Sequence, residues 1–480
     1  MDAHRFESVI SAPEYAALLD LIGRAASTLR GRVVWNVNST AGGGGVAELL
    51  RPLLGYSRGS GVDARWIVIS CDAAFFAITK RLHNLLHGAD GDGGRLGAPE
   101  RSCYERALAA NAAELTQLVG PRDIVILHDP QTAGLVPAVL RAGATVIWRC
   151  HVGVDHESPP VRRAWDFLRP YLRDADAFVF SRSAFIWSGL AEEKTAVIQP
   201  SIDAFSPKNA DQHPDQSLAI LARAGVTAAG AGADPTFVRS DGTPGRVDRR
   251  AEMLELTPLN PEQRLVAQIS RWDRLKDPIG VLSGFARHVA PNCDAHLILA
   301  GPATESVSDD PEGAAVFASV REAWYGLPAD LRRRVHLASL PMVDAEENAA
   351  IVNALQRHAD VVVQKSLAEG FGLTVAEAMW KRRAVVASRV GGIQDQIVDG
   401  ESGTLIADPG DLAEFARALM ELLGDPARAA QMGLAARERV REHFLAPHHL
   451  ALYFELIERS ARQHGDRRGS AHRLLSSRDG

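Results

Sequence analysis

Short apolar runs rich in β-branched residues recur along this chain, each followed by a longer amphipathic stretch. In the first half the runs are Val33–Val37, Trp66–Ile69, Ile124–Leu127, Val146–Trp148 and Ala177–Phe180. In the second they are Leu265–Ile269, His296–Leu299, Val361–Val363 and Ala384–Val386. Runs without polar alternation suit strands covered on both faces, as in a parallel sheet flanked by helices. Their alternation with helical stretches predicts two doubly wound α/β units. One such stretch, with Leu412, Phe415, Ala416, Leu419, Leu422 and Leu423 at helical spacing, reads as core.

The seam between the units shows as a change in composition. Ser206–Pro261 is dense in Gly, Pro and small polar residues, notably at Ala228–Pro235 and Ser240–Gly245, and reads as linker and mobile loop. Gly88–Gly97 reads as a second surface loop. From Gln463 to Gly480 apolar content almost vanishes, which predicts disorder. The expected organisation is an N-terminal domain over 1–205, a linker with its insertion over 206–261, a C-terminal domain over 262–445 and a disordered tail over 463–480.

At 480 residues the chain has the length for about three domains or two large ones. Its 53 basic against 59 acidic residues leave a net charge of -6, no footprint for nucleic acid or an anionic membrane. No apolar run approaches the ~18 residues a membrane span needs. The opening Met1–Glu7 lacks the apolar stretch of a signal peptide, and Cys71, Cys103, Cys150 and Cys293 form no Cys-x-x-Cys pair. A cytoplasmic protein with reduced thiols is therefore expected.

Ligands of open parallel sheets bind beyond the carboxyl ends of strands, and three loops stand at such places. Thr40–Gly45 lies between a strand and a helix; its glycines let a ligand approach the backbone, and the helix N-terminus offers free amides to an anion. Four glycines also make a tight turn, and the spacing is not Gly-x-Gly-x-x-Gly, which disfavours a nicotinamide site. Ser270–Lys276 carries Arg271 and Lys276 just past a strand, where both could reach one phosphate; alone, such a pair reads as a solvated loop. The third loop carries more. Val361–Trp380 contains a strand, then Glu369 flanked by Gly370, Phe371 and Gly372, then a helix with a second carboxylate, Glu377. The amides from Phe371 to Thr374 would open that helix as an anion site.

Ser366-x-x-Glu369-Gly370-Phe371-Gly372, with Glu377 eight residues beyond Glu369, resembles the signature of family 4 retaining glycosyltransferases. Val37–Leu50, His128–Leu135 and Trp148–Asp155 are similar to stretches of the trehalose glycosyltransferring synthases and of the retaining trehalose phosphorylases. The resemblance runs from about Val33 to about Tyr453, apart from the glycine-rich insertions. It implies the GT-B architecture: α/β, two facing Rossmann-like domains with a cleft between them and a crossover helix near 446–462. It further implies that Arg271 and Lys276 hold a donor diphosphate, helped by Gly43, Gly44, Gly45 and the amides of Leu373 and Thr374. Glu377 would take the ribose hydroxyls, Gly370, Phe371 and Gly372 would border the donor sugar, and Glu369 and His151 would contact the transferred hexose. Asn38, Asp129, Gln131 and Arg149 are candidates for the acceptor pocket. Two positions depart from the family pattern: Asp277 stands where many members carry glycine, and Ala384 where many carry proline.

The expected activity is transfer of an α-glucosyl unit from UDP-, ADP- or GDP-glucose to glucose with retention, giving trehalose, with no cofactor, no metal and small-molecule partners only. Homodimerisation, the donor base and the direction of flux stay open. The alternatives are a trehalose phosphorylase, another family 4 hexosyltransferase, or a nucleotide-sugar-binding protein without turnover. Two decoys are set aside. Asp174-Ala175-Asp176 resembles a metal-holding Asp-x-Asp but precedes a strand, and Gly55–Gly59 matches a hydrolase elbow but follows a helical stretch.

Overall fold

The computed structural model describes residues 1–41, 45–228, 234–304 and 311–476. The chain divides into two compact units, Met1–Ser201 with Ala446–Gly480, and Ile202–Leu445.

In the first unit six strands form one sheet: β1 (Val33–Asn38), β2 (Asp63–Val68), β3 (Ile124–His128), β4 (Thr145–Cys150), β5 (Ala177–Phe180) and β6 (Thr195–Val197). Their order is β2-β1-β3-β4-β5-β6, parallel throughout. β3, β4 and β5 are buried along their whole length, so the uninterrupted apolar runs have their physical cause in helices on both faces. The order reverses between β1 and β3, and loops leaving that switch point diverge and leave a crevice.

The helix Ala446–Ser476 belongs to this first unit, although 244 residues of the second unit intervene in the chain. It buries Phe454, Leu456 and Ile457, and the Arg24 guanidinium lies 5.4 Å over the Phe454 ring. The composition of 463–480 predicts disorder, yet the helix continues to Ser476. Its His464 ring stands 3.1 Å from Asp176, whose carboxylate also accepts from the Val146 amide at 2.9 Å. A buried carboxylate with those two partners gives the helix an anchor that its sequence does not display. Asp176 is thereby a structural residue, as its place before a strand suggests. Gly55–Gly59 lies inside the helix Gly45–Gly59, where no nucleophile elbow can form.

The second unit opens with the region read as linker and mobile loop, and that reading is corrected. It contains the helix Pro214–Arg223, a hairpin of β7 (Thr236–Val238) and β8 (Pro244–Arg246), and β9 (Glu252–Leu254). Arg239 ties the hairpin down by bonds to Asp344 at 2.7 Å and Glu346 at 3.1 Å, across more than a hundred residues of sequence. Such long-range charge pairs order a segment whose local composition favours turns. Residues 229–233 lie outside the described residues.

The main sheet adds β10 (Arg264–Ile269), β11 (Ala295–Pro302), β12 (Val335–Leu340), β13 (Val361–Gln364), β14 (Ala384–Ser388) and β15 (Thr404–Ile406), in the order β15-β14-β13-β10-β11-β12-β9. Only β9 runs antiparallel, at the edge. The reversal lies between β10 and β13, so the Arg271–Lys276 loop and the Glu369 loop leave adjacent strands at the switch point. The helix Leu412–Gly424, capped by Asp411, buries Phe415, Leu419, Leu422 and Leu423 as its spacing predicts. Each such side chain withdrawn from water contributes about 1.5–3 kcal/mol.

Candidate active site

In the second unit β10 delivers Arg271 and Lys276, and β13 delivers Glu369. The Lys276 Nζ pairs with the Glu369 carboxylate, and the Ser366 hydroxyl donates to the same oxygen at 3.3 Å. The two loops are also joined through the backbone, Leu367 N–H donating to the Leu275 carbonyl at 2.7 Å. Gln268 reaches from β10 to the Lys276 carbonyl at 2.6 Å. Arg271 is half-exposed, with its guanidinium 3.7 Å from the Asp273 carboxylate.

Asp277, the departure from family glycine, has φ 48°, a left-handed conformation that glycine adopts without strain. Here its carboxylate compensates: it caps the helix Pro278–Gly284 by accepting from Gly280 N–H at 3.0 Å and pairs with the fully buried Lys365. Ala384 opens β14 in the core, away from the loops.

Gly372 turns the chain at φ 88° into the helix Leu373–Trp380. The first amides of that helix, at Leu373 and Thr374, have no preceding turn to bond, so they carry the partial positive charge of the helix N-terminus. Glu377 is buried one turn on, with Lys208 Nζ 3.3 Å from its carboxylate. Gly370, Phe371 and Gly372 form a tight turn against a loop the sequence reading passed over, Val390–Gly392. Gly392 N–H donates to the Gly370 carbonyl at 3.2 Å, and Gln396 holds the Phe371 and Gly372 carbonyls. A Cβ on Gly391 would lie 1.7 Å from the Glu369 carbonyl oxygen, and one on Gly392 2.7 Å from Phe371 Cα. A pair of glycines beginning three residues past β14 was the signal available.

In the first unit, Gly45 begins its helix, while Gly43 and Gly44 lie outside the described residues. Asn38 closes β1: its amide donates to the Thr40 carbonyl at 2.8 Å and its oxygen accepts from Trp66 Nε1 at 2.8 Å. Asp129 follows β3 at φ 65° and accepts from the His151 backbone N–H at 2.7 Å, which fixes the chain where it leaves β4. Burial pushes the Asp129 carboxyl up to about 7, against that N–H and the Arg149 charge, which act to lower it. The Gln131 side-chain oxygen is buried with no hydrogen-bond partner among the described residues, so it keeps an acceptor to offer.

Arg149 is not where an acceptor-pocket residue belongs. It is fully buried on β4, donating to the Phe180 and Ile198 carbonyls and the Ser181 hydroxyl, and its reach is electrostatic. Together with burial, its charge holds His151 well below the usual imidazole range and His128 down to about 3. His128, at the end of β3, was not foreseen: its Nδ1 lies 3.1 Å from His151 Nε2 and its Nε2 3.0 Å from Asn36 Oδ1. Among the described residues no group of three His, Cys, Asp or Glu side chains could hold a metal ion, and no helix is long and apolar enough to cross a membrane.

Residues 36–187 match the family described as trehalose synthase, N-terminal domain, and residues 338–439 match glycosyl transferases group 1. The chain is 34% identical over 455 residues to a trehalose synthase of Rubrobacter xylanophilus, covering 92% of this chain and 93% of that one. It is 25% identical over 468 residues to a trehalose phosphorylase of Pleurotus pulmonarius, covering 92% of this chain but 58% of that one. Among solved structures, an alpha,alpha-trehalose-phosphate synthase (UDP-forming) from Burkholderia vietnamiensis has a TM-score of 0.64 at 16% identity, over 90% of this chain and 98% of that one. The structural likeness shows the GT-B glycosyltransferase fold, and the sequence likeness shows more: the chain belongs to the trehalose synthase family of glycosyltransferases.

Proposed function

We propose that this protein transfers an α-glucosyl unit from a nucleoside-diphosphate glucose to glucose with retention of configuration, forming trehalose. The observation that carries the reading is the Lys276–Glu369 pair beside the helix N-terminus at Gly372–Thr374. A cation, a carboxylate and free amides at one switch point match a ligand that is an anion at one end and a polyol at the other.

The chemistry follows from charge. Cleavage of the glycosidic bond leaves a nucleoside diphosphate on which negative charge develops. A cation about 4 Å from it, at an effective dielectric constant near 20, contributes about 4 kcal/mol, enough for roughly three decades of rate. In this reading Lys276 and Arg271 supply that stabilisation with the Leu373 and Thr374 amides, a preorganised role of the oxyanion-hole kind. Without donor, Lys276 is neutralised by Glu369. An entering diphosphate competes for the ammonium and frees the carboxylate to accept from hexose hydroxyls. Glu377 accepts from the ribose diol, and His151 meets the transferred hexose. The departing phosphate oxygen takes the proton of the attacking hydroxyl on the same face, which leaves Glu369 a positioning carboxylate.

The likeness to a trehalose phosphorylase favours a second reading in which inorganic phosphate replaces the nucleotide. One assay separates the two: UDP-, ADP- and GDP-glucose are offered in turn with glucose, with and without phosphate, and a non-reducing disaccharide is sought. Product that needs a nucleotide sugar and not phosphate supports the synthase. Product only in the phosphate-dependent direction supports the phosphorylase, and silence under all conditions defeats both.

A further inference from the structure

Three residues far apart in the chain, on neighbouring strands of the first unit, form one line. Asn36 lies on β1, His128 ends β3, and His151 follows β4. The two imidazole planes are 19° apart, and their centroid separation of 5.4 Å exceeds the 3.1 Å nitrogen separation by about two ring radii. The nitrogens therefore point at one another in the ring planes, as a linear hydrogen bond requires, and the rings do not overlap face to face.

The proton positions follow by elimination. An amide oxygen only accepts, so the His128 Nε2 facing Asn36 Oδ1 at 3.0 Å carries hydrogen. In a neutral imidazole the other nitrogen is then an acceptor, so His128 Nδ1 must receive a hydrogen from His151 Nε2. That leaves His151 Nδ1 with its lone pair. We infer that Asn36 and His128 are positioning residues that hold His151 in the Nε2–H tautomer, presenting Nδ1 as a neutral acceptor for a hydroxyl of the transferred hexose. The inference deepens the proposed function and rests on its assignment of His151 to the sugar.

The surroundings keep the line neutral. The titratable and charged groups around it are Arg149 and Cys150 on β4, Asp129 after β3, and His449 and Tyr453 on the helix Ala446–Ser476. Burial is the largest influence on both rings, and the Arg149 charge adds to it. His151 Nδ1 can thus accept a hydrogen bond without taking the proton. That suits a reaction in which the leaving phosphate, and not a histidine, removes the proton of the attacking hydroxyl.

Two-bond ¹⁵N–¹H spectra of protein labelled with ¹⁵N-histidine test this, with His128→Gln and His151→Gln used for assignment. Both rings should show the Nε2–H tautomer and neither should titrate between about pH 5 and pH 8. An Nδ1–H tautomer at His151, or an imidazolium in that range, overturns the inference. Asn36→Asp supplies the functional arm. It keeps the acceptor but brings a negative charge that favours His128 imidazolium, whose Nδ1–H then donates to His151 Nε2 and moves the His151 hydrogen to Nδ1. Turnover should fall by about tenfold or more near pH 6 and recover near pH 9, with KM for glucose unchanged. A loss equal at both pH values indicates a structural role and overturns the inference. Should Asn36→Asp not fold, the spectra of the unaltered protein still decide. If the tautomers are as inferred but His151→Ala turns over at the normal rate, the assignment of His151 to the sugar falls, and the positioning role falls with it.

Discussion

Lys276 has two partners in the proposed cycle, Glu369 before the donor arrives and a phosphate after. Replacing it with Ala should weaken nucleotide binding by roughly tenfold to a hundredfold and lower turnover as well, because ground-state and transition-state charge are both stripped of a cation. Calorimetric titration with the nucleoside diphosphate, alongside initial rates, reads both effects; unchanged kinetics removes Lys276 from the site. Glu369→Ala should behave differently. Its carboxylate faces the sugar in this reading, so turnover should fall by about a hundredfold or more while the nucleotide affinity changes by less than about threefold. Equal losses in both quantities would contradict that position. Glu369 and Glu377 stood out in the sequence because glycines and a strand-to-helix turn flank them, whereas Arg271 and Lys276 alone read as a solvated loop and took their expected role from the family resemblance. His128 did not stand out, because its meaning comes from Asn36 and His151 on other strands. Arg149 was misread for the same reason: nothing in Trp148–Cys150 announces that its Nη1 will be spent on the carbonyls of Phe180 and Ile198.

Two elements position the site without carrying its chemistry. The Val390–Gly392 loop abuts the Glu369 turn so closely that Gly391→Ala, at φ 48°, meets both backbone strain and the Glu369 carbonyl. A melting temperature lowered by the equivalent of about 1–3 kcal/mol, with turnover falling further than stability accounts for, is expected from thermal unfolding and kinetics together. Wild-type turnover in that variant would show that the contact is irrelevant to the reaction. The helix Ala446–Ser476 is the second element. Phe454→Ala should cost about 3–5 kcal/mol in denaturant unfolding, as truncating a large buried aromatic ring does, and a cost near zero would mean that the helix does not anchor the first unit. The nine apolar runs became strands because continuous apolar side chains suit a sheet flanked by helices, although β2, at the sheet edge, leaves Val68 exposed. β6, β9 and β15 were missed at three residues each, too short to show a period. β12 was missed because His336 and Ser339 interrupt its apolar run while both are buried.

At the scale of the whole molecule, the buried ionisable groups of the first unit set opposing pH dependences. His128 and His449 are held at about 3 and His151 well below its usual range, against an unfolded value near 6.5, so the fold must keep them neutral. Their contribution is fully present above the unfolded value and is lost as pH falls below it. Asp129, raised from 3.8 to about 7, acts oppositely: its contribution is present at low pH and is lost as pH rises through about 7. Three groups outweigh one, so the melting temperature should fall as pH is lowered from about 6.5 to about 4, and Asp129→Asn should steepen the fall by removing the offset. A flat or rising profile in calorimetry would contradict the buried, neutral histidines.

Apolar periodicity and glycine placement sufficed to identify two parallel α/β units, the loops at their strand ends and the glycine-flanked carboxylate, because each is a property of a few consecutive residues. Order in the described parts of the 206–261 region, the return of the last helix to the first unit and the Lys276–Glu369 pair belong to the tertiary structure alone. Each depends on groups tens to hundreds of residues apart. A hydrogen bond or ion pair is settled by distances of a few ångströms that no local pattern encodes.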